Sequence, residues 1–316
     1  MKKVSIVIPT FNEKDNILYA YSRVSNVISE FNGKYDFEII FIDNCSTDGT
    51  RSILKQLCEK NSKVKLIFNA KNFGFTRSTY YGLLQSTGDC TVLLFCDMQD
   101  PPEIIIDFLK EWEKGYKIVV GIKKRSKENR FMYSIRSIYY KLINKIGEID
   151  HIEQFTGFGL YDKDFIDVLR NLNDPMPYLR GIVAELGYER YEISYEQEKR
   201  KYGKTGFSFF KLYDVAMLGI TSYSKVVMRC ATIIGFGIAI ISFLVGIVTI
   251  ILKLLNWQYF DVGTAAIITG IFLMGSIQLF FIGLVGEYIL NINTRVMDRP
   301  LVIEEERYNF DNKNIN

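Results

Sequence analysis

The sequence predicts an α/β domain on a mostly parallel sheet with helices on both faces, followed by a membrane-embedded C-terminal part. Three observations carry this. Short apolar, β-branched runs alternate with helical segments at close spacing to about residue 120, and right-handed crossovers between such runs give a mostly parallel sheet. Polar residues gather just past the C-terminal ends of the runs, where open α/β sheets bind ligands. Two later stretches, 230–252 and 262–286, contain no charged residue, and each exceeds the ~20 residues a helix needs to cross a bilayer.

The elements follow in order. Val4–Ile8 is a strand closed by Pro9, and Thr10–Phe11–Asn12–Glu13 leads into a helix over 14–31. Phe37–Ile42 is a second strand ending at Asp43, and the turn NCSTDGT starts a helix over 50–60 with Ser46 or Asp48 as its N-cap. A third strand, Val64–Phe68, is followed by the loop Asn69–Gly74 and a helix to about Thr87. Thr91–Phe95 reads as a strand buried on both faces. Asp97, Gln99 and Asp100 come just after it, and Pro101–Pro102 stop it; Pro102 and Glu103 suit a first helical turn, in a helix over 102–114. A fifth strand, Tyr116–Val120, runs into Gly121.

Four polar loops thus converge on one rim. No GxGxxG follows the first strand and no GxxxxGK[ST] is present, so a nucleotide would be held by side-chain carboxylates, amides and a metal. Asp43 is placed to accept from a base N–H or a ribose hydroxyl, and Asp97 with Gln99 to share Mg²⁺ or Mn²⁺ with a diphosphate. Simple helix capping remains the alternative for Asp43, Asp97 and Asp100.

Charge and cysteine content narrow the classes. A net charge of +3 says little globally, but Lys123, Lys124, Arg125, Lys127 and Arg130 form one basic cluster, and Lys199, Arg200, Lys201 and Lys204 another. Two basic clusters around an acidic rim suit a phosphate-rich donor and an anionic acceptor; solvated faces are the plainer reading of such runs. Five scattered cysteines without a CxxC pair suggest neither a disulfide framework nor a zinc site. The single histidine, His151, excludes a multi-histidine metal site and argues against a Ser–His hydrolase. The apolar run after Lys2–Lys3 ends at Pro9, too soon for a signal peptide, so the soluble domain is expected in the cytoplasm.

Gly206–Ser224 has aromatics and aliphatics interrupted by Lys211 and Asp214, as an amphipathic helix in the membrane interface would. Lys225 and Arg229 precede the first span, Arg295 and Arg299 follow the second, and only Lys253 marks the connection with Trp257 and Tyr259, so both ends are expected inside. The expected domains are 1–205, catalytic; 206–228, interfacial; 229–290, a two-span hairpin; and 291–316, a cytoplasmic tail. After Pro300 that tail, ending in DNKNIN, is expected to be loose.

VSIVIPTFNE, FIDNCSTDGT, KNFGF and CDMQDPPE resemble the four leading motifs of inverting family-2 glycosyltransferases of the Rossmann-like GT-A fold. YLRGIVAELG over 178–187, KRKYGKTG over 199–206, and GEYI with the later RPL resemble the polyisoprenyl-phosphate branch, which includes bactoprenol glucosyltransferases and dolichol-phosphate mannose synthases. The resemblance extends to about residue 303. It implies transfer of a sugar from a UDP- or GDP-linked donor to a polyprenyl phosphate at the cytoplasmic face of the plasma membrane. It places Pro9, Phe11, Glu13 and Asn72 along the nucleotide-sugar site, with Asp43 on the base. Asp97 and Gln99 become metal ligands, Asp97, Lys123 and Arg125 the catalytic group, and Arg200 and Lys204 the pair on the lipid phosphate.

Two departures stand out. Many members read DADLQD, whose first Asp also ligates metal; here that place is Phe95. Many carry a GDF motif; here TGFGL has Gly157 in the place of its Asp. The second loss is softened because a phosphate monoester is already anionic near neutral pH, its second pKa being about 6, and needs no general base. A single in-line displacement with inversion and no covalent intermediate is expected. A processive polysaccharide synthase would bring more spans and a QxxRW-type motif; a weakly active or inactive nucleotide-sugar-binding membrane scaffold is the remaining alternative. The bilayer and further copies of the chain are expected partners, nucleic acid is not, and the layout favours undecaprenyl phosphate in a bacterial envelope.

Overall fold

The computed structural model describes residues 1–31, 33–125, 152–201, 264–297 and 299–310, with isolated helical positions between 217 and 255. The interfacial segment 206–228 and the first span fall almost wholly outside the described residues, as do Lys127, Arg130, His151 and Lys204.

The elements are β1 (Lys2–Thr10), α1 (Lys14–Glu30), β2 (Tyr35–Asp43), α2 (Thr50–Lys60), β3 (Val64–Asn69), α3 (Phe75–Leu84), β4 (Cys90–Leu93) and a 3₁₀ turn (Pro102–Ile104) leading into α4 (Ile105–Glu113). Then come β5 (Ile118–Arg125), β6 (Phe155–Asp162), α5 (Lys163–Asn171), α6 (Leu179–Glu185), β7 (Arg190–Glu196), the long α7 (Thr264–Val296) and β8 (Glu304–Tyr308). The eight strands form one sheet in the order β7-β5-β6-β4-β1-β2-β3-β8. Six run one way; β6 and β8 run against their neighbours. The mostly parallel expectation holds.

Alternation of side chains fills both faces. Ile6, Ile8, Ile39, Phe41, Leu66 and Phe68 face one core layer with Ile17 and Val24 of α1, Leu54 of α2 and Phe108 of α4. Val7, Ile40, Ile42 and Ile67 face the other, with Tyr80 and Leu83 of α3 and Phe165 and Leu169 of α5. Each such aliphatic or aromatic side chain, fully buried, contributes about 1.5–3 kcal/mol. Pro9 fits inside β1 because β4 pairs only with Val4–Val7, leaving no ladder partner there for a missing N–H.

Several expectations are corrected. Neither Ser46 nor Asp48 is the N-cap of α2; that position is Gly49, at φ 99°. Asp48 instead accepts from the Lys14 and Thr50 amides, which ties the starts of α1 and α2 together. β5 does not stop at Val120 but continues to Arg125. A Cβ on Gly121 would lie 2.7 Å from the Phe158 ring, so glycine is what lets the strand pass. The first part of the basic cluster therefore lies on a strand. The tail is not loose from Pro300: β8 pairs antiparallel with β3, and residues 311–316 lie outside the described residues.

The second expected span falls on α7, which runs ten residues past 286, to Val296. Among the described residues this is the one helix long and apolar enough to cross a membrane, with the window Ile277–Val296 at mean hydropathy 1.2 and unburied. Its last turn is tied to the α/β domain, where Arg295 Nη1 lies 3.1 Å from Asp174 Oδ1.

At the sheet end away from the rim, Glu38 is buried and accepts from Ser5, Thr87 and two ammonium groups, Lys3 and Lys65, each at 2.8 Å. Burial alone would raise its pKa, but hydrogen bonds from Lys3, Lys65, Ser5 and Thr87 prevail and hold it at about 2, below the ordinary 4.5. A depressed folded-state value means stability that is present above pH 4.5 and lost as pH falls toward 2. Glu38→Gln is therefore expected to cost about 3 kcal/mol at pH 7. Urea unfolding should show the gap to wild type closing as pH approaches 2.

Candidate active site

Each rim segment leaves a parallel strand at its C-terminal end. After β1, Thr10 Oγ1 donates to the Ile42 carbonyl at 3.3 Å, and Glu13 becomes the N-cap residue of α1, its carbonyl accepting from the Asn16 and Ile17 amides. Phe11 is exposed and Pro9 half-buried, both on this rim. After β2, Asp43 is wholly buried. Its carboxylate accepts from the Ser46 amide at 3.0 Å, the Ser46 hydroxyl, Thr10 Oγ1 at 3.5 Å and Arg51 Nε at 3.0 Å. The Ser46 amide, the Ser46 hydroxyl and Arg51 are its donors, and the single Thr10 hydroxyl proton is shared with the nearer Ile42 carbonyl. Asp43, expected on the base, joins β1, β2 and α2 through these contacts.

After β3, Asn69 donates to Asn44 Oδ1 at 3.2 Å and to Ser78 Oγ at 3.1 Å. Asn44 in turn donates to Asn72 Oδ1 at 2.9 Å and accepts from the Phe73 amide. Asn72 is exposed and also caps Gly74, whose φ of 89° lets the chain turn into α3. The loops after β2 and β3 are thereby one hydrogen-bonded unit.

After β4, the acidic stretch carries the charge of the site. Asp97 is half-buried, and its Oδ1 accepts from the Gln99 amide at 3.3 Å. Arg200 lies between Glu13 and Asp97, with Nη2 2.6 Å from Glu13 Oε1 and Nη1 3.9 Å from Asp97 Oδ2. Burial raises the Glu13 pKa, opposed by its hydrogen bond from Asn16 and by Arg200. Asp100 is buried, accepts from the Tyr195 hydroxyl, and has Lys123 Nζ at 3.7 Å. Burial pushes both the Asp100 carboxyl and the Tyr195 hydroxyl up, opposed at Asp100 by Lys123 and by the Tyr195 hydrogen bond.

The segment bearing Arg200 is pinned over this rim. The Glu198 amide donates to the Gln99 carbonyl at 2.9 Å, and Arg23 bridges Glu198 (2.9 Å) and Glu103 (2.6 Å). Arg200, expected on a lipid phosphate, lies against the Glu13 and Asp97 carboxylates. Its predicted companion Lys204 lies outside the described residues, and Arg125 ends β5 two residues beyond Lys123.

The two departures also have a place. Phe95 packs on Phe75, ring centroids 5.6 Å apart, making an apolar wall beside Asp97. Gly157 has φ 106°, where an Asp would be strained, and the nearest neighbours of a Cβ there would be Leu93, Leu179 and Phe95 at 3.5–3.8 Å. The backbone here is built for glycine.

Hard oxygen donors of Asp97 and Gln99 suit a divalent ion, and a cation, the Arg200 guanidinium, already rests between Asp97 and Glu13. Among the described residues no group of three His, Cys, Asp or Glu side chains could hold a metal alone. The donor set fits an ion that takes its remaining ligands from phosphate and water. Tyr195 and Arg51 are the residues that sequence reasoning missed, for neither belongs to a motif.

The comparisons agree with this architecture. Residues 5–170 match the model of glycosyl transferase family 2. The bactoprenol glucosyl transferase of Shigella phage SfX is 31% identical over 314 residues, spanning 96% of this chain and 99% of its own. The SfII prophage-derived bactoprenol glucosyl transferase of Shigella flexneri is 32% identical over 302 residues, 95% of this chain and 97% of its own. Among solved structures, mannosyl-3-phosphoglycerate synthase from Rubrobacter xylanophilus superposes with a TM-score of 0.50 at 16% identity, covering 74% of this chain and 75% of that one, a likeness of fold alone. A GT-A-like α/β sheet with an acidic rim at its C-terminal edge, matched over more than half the chain, makes this protein a glycosyltransferase that belongs to glycosyl transferase family 2.

Proposed function

We propose that the enzyme transfers a monosaccharide from a nucleotide sugar, UDP-linked, to undecaprenyl phosphate with inversion, at the cytoplasmic face of a bacterial inner membrane that it spans twice. The observation that carries this is the Glu13–Arg200–Asp97 arrangement, with Lys123 and Asp100 beside it, at the C-terminal edge of the sheet. Relatives named bactoprenol glucosyl transferase, similar over nearly the whole chain, support the acceptor; the apolar α7 supports the membrane setting.

In this reading Pro9, Phe11, Glu13 and Asn72 line the donor, while Asp43 braces the loops that hold it. Mg²⁺ or Mn²⁺, held by Asp97 and Gln99, would supply positive charge to the donor diphosphate. Lys123, with Arg125 farther along β5, faces the same phosphates, and Arg200 and Lys204 serve the acceptor phosphate. An acceptor phosphate oxygen attacks the anomeric carbon; the bond from that carbon to the diphosphate oxygen breaks, and its electron pair leaves on the nucleoside diphosphate. No residue must remove a proton, which is why glycine at 157 is compatible with turnover.

One observation favours a second reading, a nucleotide-sugar-binding scaffold: Phe95 stands where a further carboxylate is common and is locked against Phe75. Membranes containing the protein, given radiolabelled UDP-sugars and undecaprenyl phosphate, separate the two. Divalent-ion-dependent label in the organic phase is the expected result; donor binding without transferred label would select the scaffold.

A further inference from the structure

The strand β8 follows α7 and closes the sheet beside β3, yet its charges reach the donor rim. Arg51, in the first turn of α2, is a three-pronged fork. Nε donates to Asp43 Oδ2 at 3.0 Å, Nη2 to the Asn69 carbonyl at 2.7 Å, and Nη1 to Glu305 Oε2 on β8 at 2.7 Å. Its guanidinium lies over the Phe68 ring at 4.7 Å. One side chain thus joins the last residue of β2, the last residue of β3 and the returning C-terminal strand. From Asn69 the network runs on through Asn44 to Asn72 and the Phe73 amide.

An Arg–Glu pair this exposed adds little stability by itself. Its consequence is orientation. With Nη1 held by Glu305, the planar fork has one rotation left that satisfies Asp43 and the Asn69 carbonyl together. Without it, that edge of the guanidinium is open to water, and the two remaining bonds hold the loops through a less constrained side chain. We propose that Glu305 is a positioning residue for nucleotide-sugar binding, acting through Arg51 on the loops that follow β2 and β3. The chain emerging from α7 is then part of the donor site's support. The inference rests on the reading of this rim as the nucleotide site.

Glu306, one residue on, gives the internal control: it pairs with Lys55 at 2.6 Å and with the Tyr308 hydroxyl, and acts on Arg51 only through longer-range charge. The experiment is calorimetric titration of the full-length protein in detergent with UDP and with GDP, each with Mg²⁺, joined to donor saturation curves of transfer. Glu305→Ala is expected to weaken the bound nucleotide about fivefold and raise the donor KM by a similar factor, with kcat within about twofold of wild type. Glu305→Asp should recover most of the loss, and Glu306→Ala should change neither quantity. Glu305→Ala binding as tightly as wild type overturns the inference while leaving the nucleotide site standing. Equal weakening by Glu306→Ala also overturns it, since the effect would then belong to the strand as a whole. Wild-type protein that binds neither nucleotide overturns the reading of the rim, and the inference with it.

Discussion

Asp97→Asn is expected to abolish transfer, lowering kcat by about a thousandfold or more, with the thermal midpoint close to wild type. The substitution changes charge and hardly volume, and the side chain is half-buried at the rim rather than packed in either core layer. What it removes is a carboxylate beside Arg200 and Gln99, at the point where charge must be balanced as the nucleoside diphosphate departs. Single-turnover kinetics with saturating donor and acceptor would check this, with a melting curve as control. Undiminished turnover would take Asp97 out of the mechanism.

The second large effect is expected at Arg200, and it has two directions. The guanidinium occupies the space between Glu13 and Asp97, where an incoming divalent ion would compete with it. Arg200→Ala should therefore bind Mn²⁺ in the absence of nucleotide about tenfold more tightly, since two neighbouring carboxylates lose their resident cation. Transfer should nonetheless fall about a hundredfold, because the phosphates lose a positive partner in the displacement. Adding Lys204→Ala should raise the acceptor requirement far more than that for the donor. Mn²⁺ binding followed by electron paramagnetic resonance, set beside donor and acceptor saturation curves, separates these outcomes. A variant with weaker Mn²⁺ binding and normal turnover would contradict both halves.

Much of this site was legible in the sequence because its residues sit at local landmarks. Asp43 and Asp97 directly follow apolar β-branched runs, and a strand ending in a carboxylate can be read from a dozen residues. The pieces that escaped depend on long-range geometry. The direction of β6 leaves no local trace: FTGFGLYD would read alike in a parallel or an antiparallel strand, and only its pairing with β4 and β5 decides. EEERY looks like a solvated tail, yet as β8 it lies along β3, and its carboxylates meet Tyr81, Arg51 and Lys55. Arg200 reaches Glu13 across 187 positions of sequence, so its basic cluster could be assigned to phosphates in general but not to these two carboxylates. Asp43 shows the converse: its place was predictable, but its bonds from Ser46 and Arg51 were not, because these depend on how α2 docks.

The central claim is that the Glu13–Asp97 edge of the sheet receives the charged end of the sugar donor. Anomalous scattering from Mn²⁺ in crystals of the full-length protein grown with UDP tests it most directly. A single Mn²⁺ peak is expected in contact with the Asp97 carboxylate and the UDP phosphates, with Arg200 moved off Glu13. A peak remote from Asp97, or a bound diphosphate with the Arg200 bridge to Glu13 and Asp97 intact beneath it, would contradict the account.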